Sequence, residues 1–227
     1  MSERLVRAGD RKQRQSRGVK QQQTEHGSRN SYERATQAHA GDSQLGPDEQ
    51  QFIALRDSFY MASVSETGWP YIQHRGGPPG FVHILRPDLI AFADLRGNKQ
   101  YISVGNLSHD NRVALFFMDY PNQTRLKILG HAEIHEHDDA APALIEQLRT
   151  AEPNTVVERA ILIRVSGFNW NCPQHITPRY TLAELEPSLA PLHTRLAALE
   201  AENAALRARL SPPGHTETPR AVGAKLT

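Results

Sequence analysis

The chain has a single cysteine, Cys172, among its 227 residues. It therefore cannot form an intramolecular disulfide, whereas proteins of oxidising compartments commonly carry several. We predict a reducing, cytoplasmic location. Because Cys172 is followed by a proline and no sequence cue pairs it with a base, we interpret it as a structural thiol and not as a nucleophile.

Long apolar runs and a strong net charge are also lacking. No stretch of eighteen or more apolar residues occurs and the start of the chain lacks an apolar segment, so we expect neither a membrane span nor a signal peptide. The 26 Lys and Arg residues nearly balance 25 Asp and Glu residues, which gives a formal net charge of +1. Such a balance creates no overall field toward nucleic acid or membranes, and we expect no specific nucleic-acid partner.

The chain has few sequence signals for a metal. His131, His135 and His137 alternate along one predicted strand and could bind an ion. Their neighbours are acidic surface residues, however, and the chain has no CxxC or HExxH spacing. We predict no metal site.

Composition divides the chain into four parts. Residues 1–46 are rich in Gln, Arg, Ser and Gly and have few aliphatic side chains, so we predict a disordered basic tail. Its basic run lacks interleaved aromatic residues, which favours solvated surface over phosphate contact. Residues 47–180 carry the pattern of a folded domain, 181–211 a helical repeat, and 212–227 a second disordered tail.

The folded domain alternates short apolar segments with turn signals. The predicted strands are 59–65, 70–74, 82–85, 89–93, 112–119, 124–135 and 160–165, and the predicted helices are 47–58, 98–107 and 140–150. Short strands between tight turns indicate an antiparallel sheet that closes into a barrel or sandwich. We predict a mainly β fold, an antiparallel β-barrel with inserted helices.

A repeat of leucines at alternating spacings of three and four predicts a C-terminal coiled coil. Its members are Leu182, Leu185, Leu189, Leu192, Leu196, Leu199, Asn203, Leu206 and Leu210. Because Pro187 and Pro191 disfavour the interior of a helix, we expect the continuous coil to begin near Pro191 and to stop at Ser211.

Charges beside the repeat favour a parallel homodimer. Arg195 would face Glu200 of the partner subunit, and Glu202 would face Arg207 of the partner subunit. The alternative is a helix that packs its leucine stripe on its own barrel.

Polar and basic groups converge near strand ends, in residues 71–77 and 92–100 and at Arg125 and Lys127. Arg96 and Lys99 flank the predicted start of a helix, where free N–H groups and the helix dipole favour phosphate. The pattern indicates a nucleotide phosphate as ligand. The alternative is an ordinary surface hairpin beside a basic helix start.

Over about residues 45–180, the order of these segments resembles the pyridoxamine 5'-phosphate oxidase-like family of FMN-binding split barrels. The resemblance rests on residues 73–75 and 92–94, the pair at 98–99, the strand 125–133 and the run 170–179. It implies an antiparallel split β-barrel, FMN as cofactor, and a homodimer with the cofactor site at the subunit interface. The residues that it implies at the cofactor are Gln73, His74, Arg75, Gly76, Ala93, Asp94, Asn98, Lys99, Gln100, Arg125, Trp170 and Arg179.

The resemblance also implies roles for several of these residues. Arg75 and Lys99 would contact the flavin phosphate or ribityl chain, and Arg125 would lie near the isoalloxazine edge. Trp170 and Arg179 would approach from the dimer partner. Their run, 170–179, resembles a signature of an uncharacterised flavin-binding subgroup and not of the oxidase itself.

The sequence departs from the oxidase at its substrate. The oxidase has an Arg-Lys pair where this chain has Asn98 and Lys99, and a Gln in place of Arg125. Its Tyr, Arg and Ser set for the substrate phosphate has no match between 138 and 155, and its terminal motif is reduced to Arg179. We therefore predict an FMN-binding oxidoreductase of unknown substrate. The alternatives are a non-enzymatic flavin-binding or sensing module, and a related split barrel that uses deazaflavin or haem.

Overall fold

The computed structural model describes residues 16–38, 44–150, 155–170 and 174–210. The chain divides into two units, Met1–Pro178 and Arg179–Thr227. The strands are β1 Ser58–Val64, β2 Pro70–Gly76, β3 Val82–Arg86, β4 Leu89–Leu95, β5 Arg112–Asp119, β6 Thr124–His135 and β7 Val157–Trp170. The helices are α1 Arg17–Glu25, α2 Arg29–Ala38, α3 Pro47–Ala54, α4 Ile102–His109, α5 Ala141–Leu148 and α6 Leu182–Leu210.

The strands form one antiparallel sheet in the order β2-β1-β5-β6-β7-β4-β3. The ends of this order, β2 and β3, are edge strands, and the predicted antiparallel split β-barrel with inserted helices is confirmed. Strands β5 and β6 have the predicted bounds. Strand β7 is longer than the predicted 160–165 because residues 157–164 pair with β4 and residues 160–170 pair with β6.

The main core lies inside the barrel. Along β5 the side chains alternate, and Val113, Leu115 and Phe117 are buried there. The Phe59 ring packs against Phe117 with a centroid distance of 4.9 Å, and against Phe92 at 5.2 Å. Each such side chain contributes about 1.5–3 kcal/mol through removal of its apolar surface from water.

A second apolar cluster covers the outer side of β4 and β7. Helix α5 places Leu148 there, fully buried against Leu89, Ala91, Ala160 and Leu162. These two strands are therefore buried on both faces. This explains the continuous apolar run at the centre of β7, where a half-exposed strand would show alternation.

A glycine allows a close approach between β6 and β7. The register of the pair shifts between Leu129 and Gly130. A Cβ atom on Gly130 would lie 2.6 Å from the carbonyl oxygen of Arg164 and 2.7 Å from Cγ2 of Ile163. No larger residue fits without movement of the β7 backbone.

Helix α4 corrects the prediction for residues 98–107. It begins at Ile102 and ends at His109, so residues 98–101 form a loop. Lys99 and Tyr101 have positive φ angles of 59° and 52°, and residues in this left-handed conformation interrupt the helix. Helix α3 likewise ends four residues before the predicted position 58, since β1 starts at Ser58.

The first 46 residues contain more structure than their composition suggested. Helices α1 and α2 lie in this segment, which corrects the prediction of a disordered tail for residues 17–38. Ser16 caps α1 by accepting a hydrogen bond from the Val19 N–H at 3.4 Å. Lys, Gln and Glu favour helix even without burial, and α1 buries no side chain. The predicted tail 212–227 and Cys172 lie outside the described residues.

The second unit contains one 29-residue helix, α6. A capping box starts it, because the Thr181 hydroxyl accepts a hydrogen bond from the Glu184 N–H and the Glu184 carboxylate accepts one from the Thr181 N–H. The helix therefore begins upstream of Pro187 and Pro191, near the start of the predicted helical part 181–211, whereas the start of the coiled coil stays a prediction. Each proline removes one intrahelical hydrogen bond without ending the helix.

Within the described segments, no helix combines the length and the apolar character that a membrane crossing requires.

Candidate functional site

A cleft of about 280 Å³ opens beside the edge strand β2. Its walls come from β2, the end of β4, the loop 96–101, the start of α4 and the start of β7. Six of the residues predicted at the cofactor line it, namely Gln73, Arg75, Asp94, Asn98, Lys99 and Gln100. The structure thus brings together residues that are far apart in sequence.

The pleat of β2 decides which of its residues reach the cleft. Tyr71, Gln73 and Arg75 share the face that lines it. The intervening His74 lies on the opposite face, where its ring contacts that of Tyr60 at a centroid distance of 5.5 Å. The structure therefore separates His74 from its two predicted neighbours at the site.

A buried carboxylate, that of Asp94, stands between two arginines. One oxygen accepts a hydrogen bond from Arg75, and the other accepts one from Arg159 Nη1 at 2.7 Å. Asp94 is 5% exposed and Arg159 is 4% exposed. Buried charges require such partners, since an unpaired one is strongly destabilising. The pairing fixes the Arg75 side chain at the wall of the cleft.

Arg159 joins this pair to a wider network. Its guanidinium also donates to Glu136 at 3.1 Å and to Glu158 at 3.2 Å, and it lies over the Tyr101 ring, 5.1 Å from the centroid. Burial opposes the charge of Arg159, but the hydrogen bonds to Glu136 and Asp94 outweigh it and raise the Arg159 pKa. The same bond lowers the pKa of Glu136. Arg159 and Glu136 are therefore both ionised at neutral pH.

Arg75 retains unused hydrogen-bonding capacity. Its Nε atom is buried, and no hydrogen-bond acceptor for it exists among the residues that the structure describes. Buried guanidinium N–H groups are nearly always paired. An anionic ligand in the cleft would supply the acceptor.

The loop that follows β4 carries the second cation. Lys99 lies there at a left-handed position, exposed at the wall of the cleft. The Asn98 side chain accepts a hydrogen bond from the Gln100 N–H at 3.2 Å, which closes the turn. In the lining of the cleft, the Ser103 hydroxyl on α4 donates a hydrogen bond to the side-chain oxygen of Gln73 on β2 at 2.6 Å.

The charge of the cleft is weakly positive. Its lining holds three cationic side chains, Arg75, Lys99 and Arg159, against two carboxylates, Asp94 and Glu158. Asp94 and Glu158 are both held by arginines, and the bond from Arg96 lowers the pKa of Glu158. The arrangement can hold a phosphate or another small anion.

Four other predicted residues lie outside the lining of this cleft. Gly76 ends β2, and Ala93 packs with the second apolar cluster. Arg125 extends over the Phe116 ring at 5.3 Å. Trp170 anchors helix α3, because its indole N–H donates to Glu49 at 2.7 Å and its ring meets Phe52 edge to face.

The remaining predicted residue, Arg179, belongs to the second unit of the chain. Its place beside a cofactor, like those of Arg125 and Trp170, stays a prediction.

Sequence reasoning missed Glu158, Arg159, Tyr101 and Ser103. The available signal was the charged pair at 158–159 that directly precedes the apolar run of β7. Charged residues at the entry of a buried strand need partners, and this need marks them as members of a site or an ion-pair network.

The histidines of β6 contact polar neighbours. His131 hydrogen-bonds to Asn111 at 3.0 Å, and His135 to Asp138 at 2.9 Å. In the described part of the chain, no group of three or more His, Cys, Asp or Glu side chains has a geometry that could hold a metal ion.

Three solved structures illustrate the similarity of this chain to known proteins. A candidate pyridoxamine 5'-phosphate oxidase from Lactobacillus delbrueckii is 23% identical, with 56% of this chain and 95% of that chain covered and a TM-score of 0.45. HupZ from Group A Streptococcus is 16% identical, with 55% and 91% covered and a TM-score of 0.43. An FMN-binding protein from Syntrophomonas wolfei is 12% identical, with 54% and 83% covered and a TM-score of 0.40.

The sequence itself identifies the family. No curated protein matches the chain. The family model described as pyridoxamine 5'-phosphate oxidase matches residues 45–162, which is more than half of the 227 residues and includes the whole lining of the cleft. The chain therefore belongs to the pyridoxamine 5'-phosphate oxidase family.

Proposed function

We propose that the chain binds FMN in the cleft beside β2 and acts as an FMN-dependent oxidoreductase. The observation that carries this proposal is the buried Nε atom of Arg75, which lacks an acceptor among the described residues. Lys99 lines the same cleft, so two cations are available to one anionic group. Family membership supports the same ligand.

The residues of the cleft fit a flavin nucleotide. Arg75 and Lys99 would hold the phosphate, and Asp94 keeps Arg75 in place through their ion pair. Gln73 and Ser103 offer polar groups for the ribityl chain. Bound FMN would supply the electron-transfer chemistry, while the protein binds and orients it.

We propose further that a homodimer completes the site. The cleft volume of about 280 Å³ lies just below the range of about 300–1,000 Å³ that ligand pockets occupy. The outer face of β1, β2 and β5 carries exposed or half-buried apolar side chains in cross-strand contact, with Ala62 between Ile72 and Ala114 and Tyr60 beside Phe116. Such a surface favours contact with a second copy.

The assembly has its own test. Ile72 is 63% exposed and does not line the cleft. A charge at position 72 disfavours contact between two copies. If the second copy completes the site, Ile72→Asp should therefore bind FMN incompletely at protein concentrations where the wild type is saturated with FMN. An unchanged affinity would contradict the shared site.

Turnover of a substrate distinguishes an oxidoreductase from a non-enzymatic flavin-binding module. The oxidase's substrate-phosphate set has no counterpart between 138 and 155, and this departure favours a flavin-binding or sensing module as the second candidate. Consumption of NADPH or oxygen by the FMN-loaded protein with a candidate substrate supports the enzyme. Tight binding without turnover supports the module.

Absorption spectroscopy of the full chain tests the cofactor. The purified protein, incubated with FMN and desalted, is expected to retain the flavin spectrum at about one FMN per chain. A colourless protein refutes the proposal, and a deazaflavin or haem spectrum of the protein as isolated replaces FMN with that cofactor.

A matched pair of variants locates the binding site. Arg75→Met removes a charge-assisted hydrogen bond worth about 1.5–3 kcal/mol, so FMN affinity should fall roughly 10–150-fold. Arg86→Met is the control, because Arg86 lies on β3 with its side chain 52% exposed and pairs with Asp88 away from the cleft. Equal affinity of the two variants would exclude Arg75 from the site. Thermal melting of both shows that each is folded.

A further inference from the structure

Helix α6 carries a leucine seam whose side chains are not buried among the residues that the structure describes. The seam comprises Leu182, Leu185, Leu189, Leu192, Leu196, Leu199, Leu206 and Leu210, with Asn203 among them. No residue of the helix is buried, and Leu192, Leu196 and Leu206 are 64%, 56% and 47% exposed. A continuous stripe of this kind is stabilised only when another apolar surface covers it.

We propose that α6 pairs with α6 of a second copy as a parallel, in-register, two-stranded coiled coil. The spacing of three and four places a leucine or Asn203 at every a and d position from Leu182 to Leu210. The contact is an assembly surface distinct from the cleft, whose lining residues all belong to the first unit.

The prolines of α6 are compatible with this pairing. Pro187 falls at heptad position f and Pro191 at position c, both on the side away from the seam. Alanines occupy the outward positions of the following heptads, at 197, 201, 204 and 208. The seam is therefore the one large apolar stripe of the described helix. The outward face of the helix has few large apolar side chains that could pack against another surface.

Charges beside the seam select a second copy of this chain. In a parallel pair, a residue at g lies opposite the e position of the partner's next heptad. Arg195 then faces the partner's Glu200, and Glu202 faces the partner's Arg207. The two-fold symmetry repeats both attractive contacts, so the helix is complementary to itself.

Asn203 selects the parallel orientation. At an a position in register it meets the partner's Asn203, and the two side-chain amides can exchange a hydrogen bond. In an antiparallel pair an a position meets a d position, and all four d positions of this helix are leucines. The amide would then be buried without a partner, which is unfavourable.

Cysteine cross-linking of the full chain tests this arrangement. In a Cys172→Ser background, Leu206→Cys places a thiol at a d position and Ala208→Cys places one at the outward f position, two residues away. In the proposed coil the two 206 side chains of a dimer lie side by side within disulfide distance, whereas the 208 side chains point apart. Mild oxidation should cross-link Leu206→Cys at least tenfold faster than Ala208→Cys. Similar rates, or no cross-link at 206, would overturn the proposal.

The role of Asn203 has a separate readout. Asn203→Leu removes the residue that restricts the coil to two strands, so sedimentation should detect assemblies of more than two chains. A variant that remains at the wild-type mass would refute this role. Neither measurement depends on FMN binding. A result that overturns the coiled coil would therefore leave the proposed cofactor site unaffected.

Discussion

Replacing Arg159 with methionine is expected to destabilise the barrel domain substantially. Arg159 is 4% exposed and its guanidinium binds Asp94, Glu136 and Glu158. Methionine retains much of the side-chain volume and removes the charge. The change therefore isolates the electrostatic part of the network at the wall of the cleft.

The size of the effect follows from the partners that remain. Removing one member of a buried ion pair costs about 3–5 kcal/mol because the other charge is left uncompensated. Here Asp94 keeps Arg75 and Glu158 keeps Arg96. The loss should therefore lie near the lower limit, at about 3 kcal/mol. In a domain of this size that loss lowers Tm by roughly 6–12 °C.

Urea unfolding at neutral pH, followed by circular dichroism, measures the loss. The control is Arg164→Met, on the same strand, because that side chain is 58% exposed and lies 3.7 Å from Asp88. An exposed pair contributes at most about 1 kcal/mol. If the Arg159 and Arg164 variants unfold at the same urea concentration, the network does not stabilise the fold as described.

Four further substitutions test the packing and the charges. Gly130→Ala should lower the free energy of unfolding by about 1–3 kcal/mol in urea, since a Cβ atom there meets the β7 backbone. Gly105→Ala should instead raise the free energy of unfolding by about 0.5–1 kcal/mol, because Gly105 lies on helix α4 with open space around it. The pKa of Glu136 is held below its usual 4.5 in the folded protein. Stability should therefore fall as the pH drops below about 4.5, and Glu136→Gln should show a smaller fall. Glu49→Ala leaves the Trp170 indole N–H without its acceptor and should cost about 1–3 kcal/mol, read by tryptophan fluorescence during unfolding.

Local patterns were sufficient to predict most of the barrel. Strands β5 and β6 have the predicted bounds because each alternates buried and half-buried side chains between clear turn residues. The turn at Tyr120–Gln123 separates them, and the carboxylate of Asp119, the last residue of β5, accepts a hydrogen bond from the Asn122 N–H at 3.2 Å. Turn chemistry of this kind depends on adjacent residues only, so it is visible in the sequence.

The start of helix α4 was mispredicted for a reason outside local sequence. Residues 98–101 contain no residue that forbids a helix, yet Lys99 and Tyr101 adopt left-handed backbone conformations. The Tyr101 hydroxyl donates to Glu158 at 3.3 Å, and its ring meets Arg159. These partners are more than fifty residues away in the chain, and no window of sequence contains them.

Some members of the candidate site were predictable from the sequence, but the pairing between them was not. Gln73, Arg75 and Lys99 stood out as polar residues beside apolar strands. The contact between Asp94 and Arg159 joins residues separated by 65 positions, and only the pairing of β4 with β7 brings them together. His74 was grouped with its neighbours although the alternation of a strand places it on the other face.

A comparison of FMN with riboflavin tests the central claim most directly. The two flavins differ by the phosphate that Arg75 and Lys99 are proposed to bind. Titration of the flavin-free full chain, followed by flavin fluorescence, should give an affinity for FMN at least about tenfold higher than for riboflavin, and Lys99→Ala should reduce this preference. Equal affinities of the wild-type protein for the two flavins would contradict a phosphate site in this cleft.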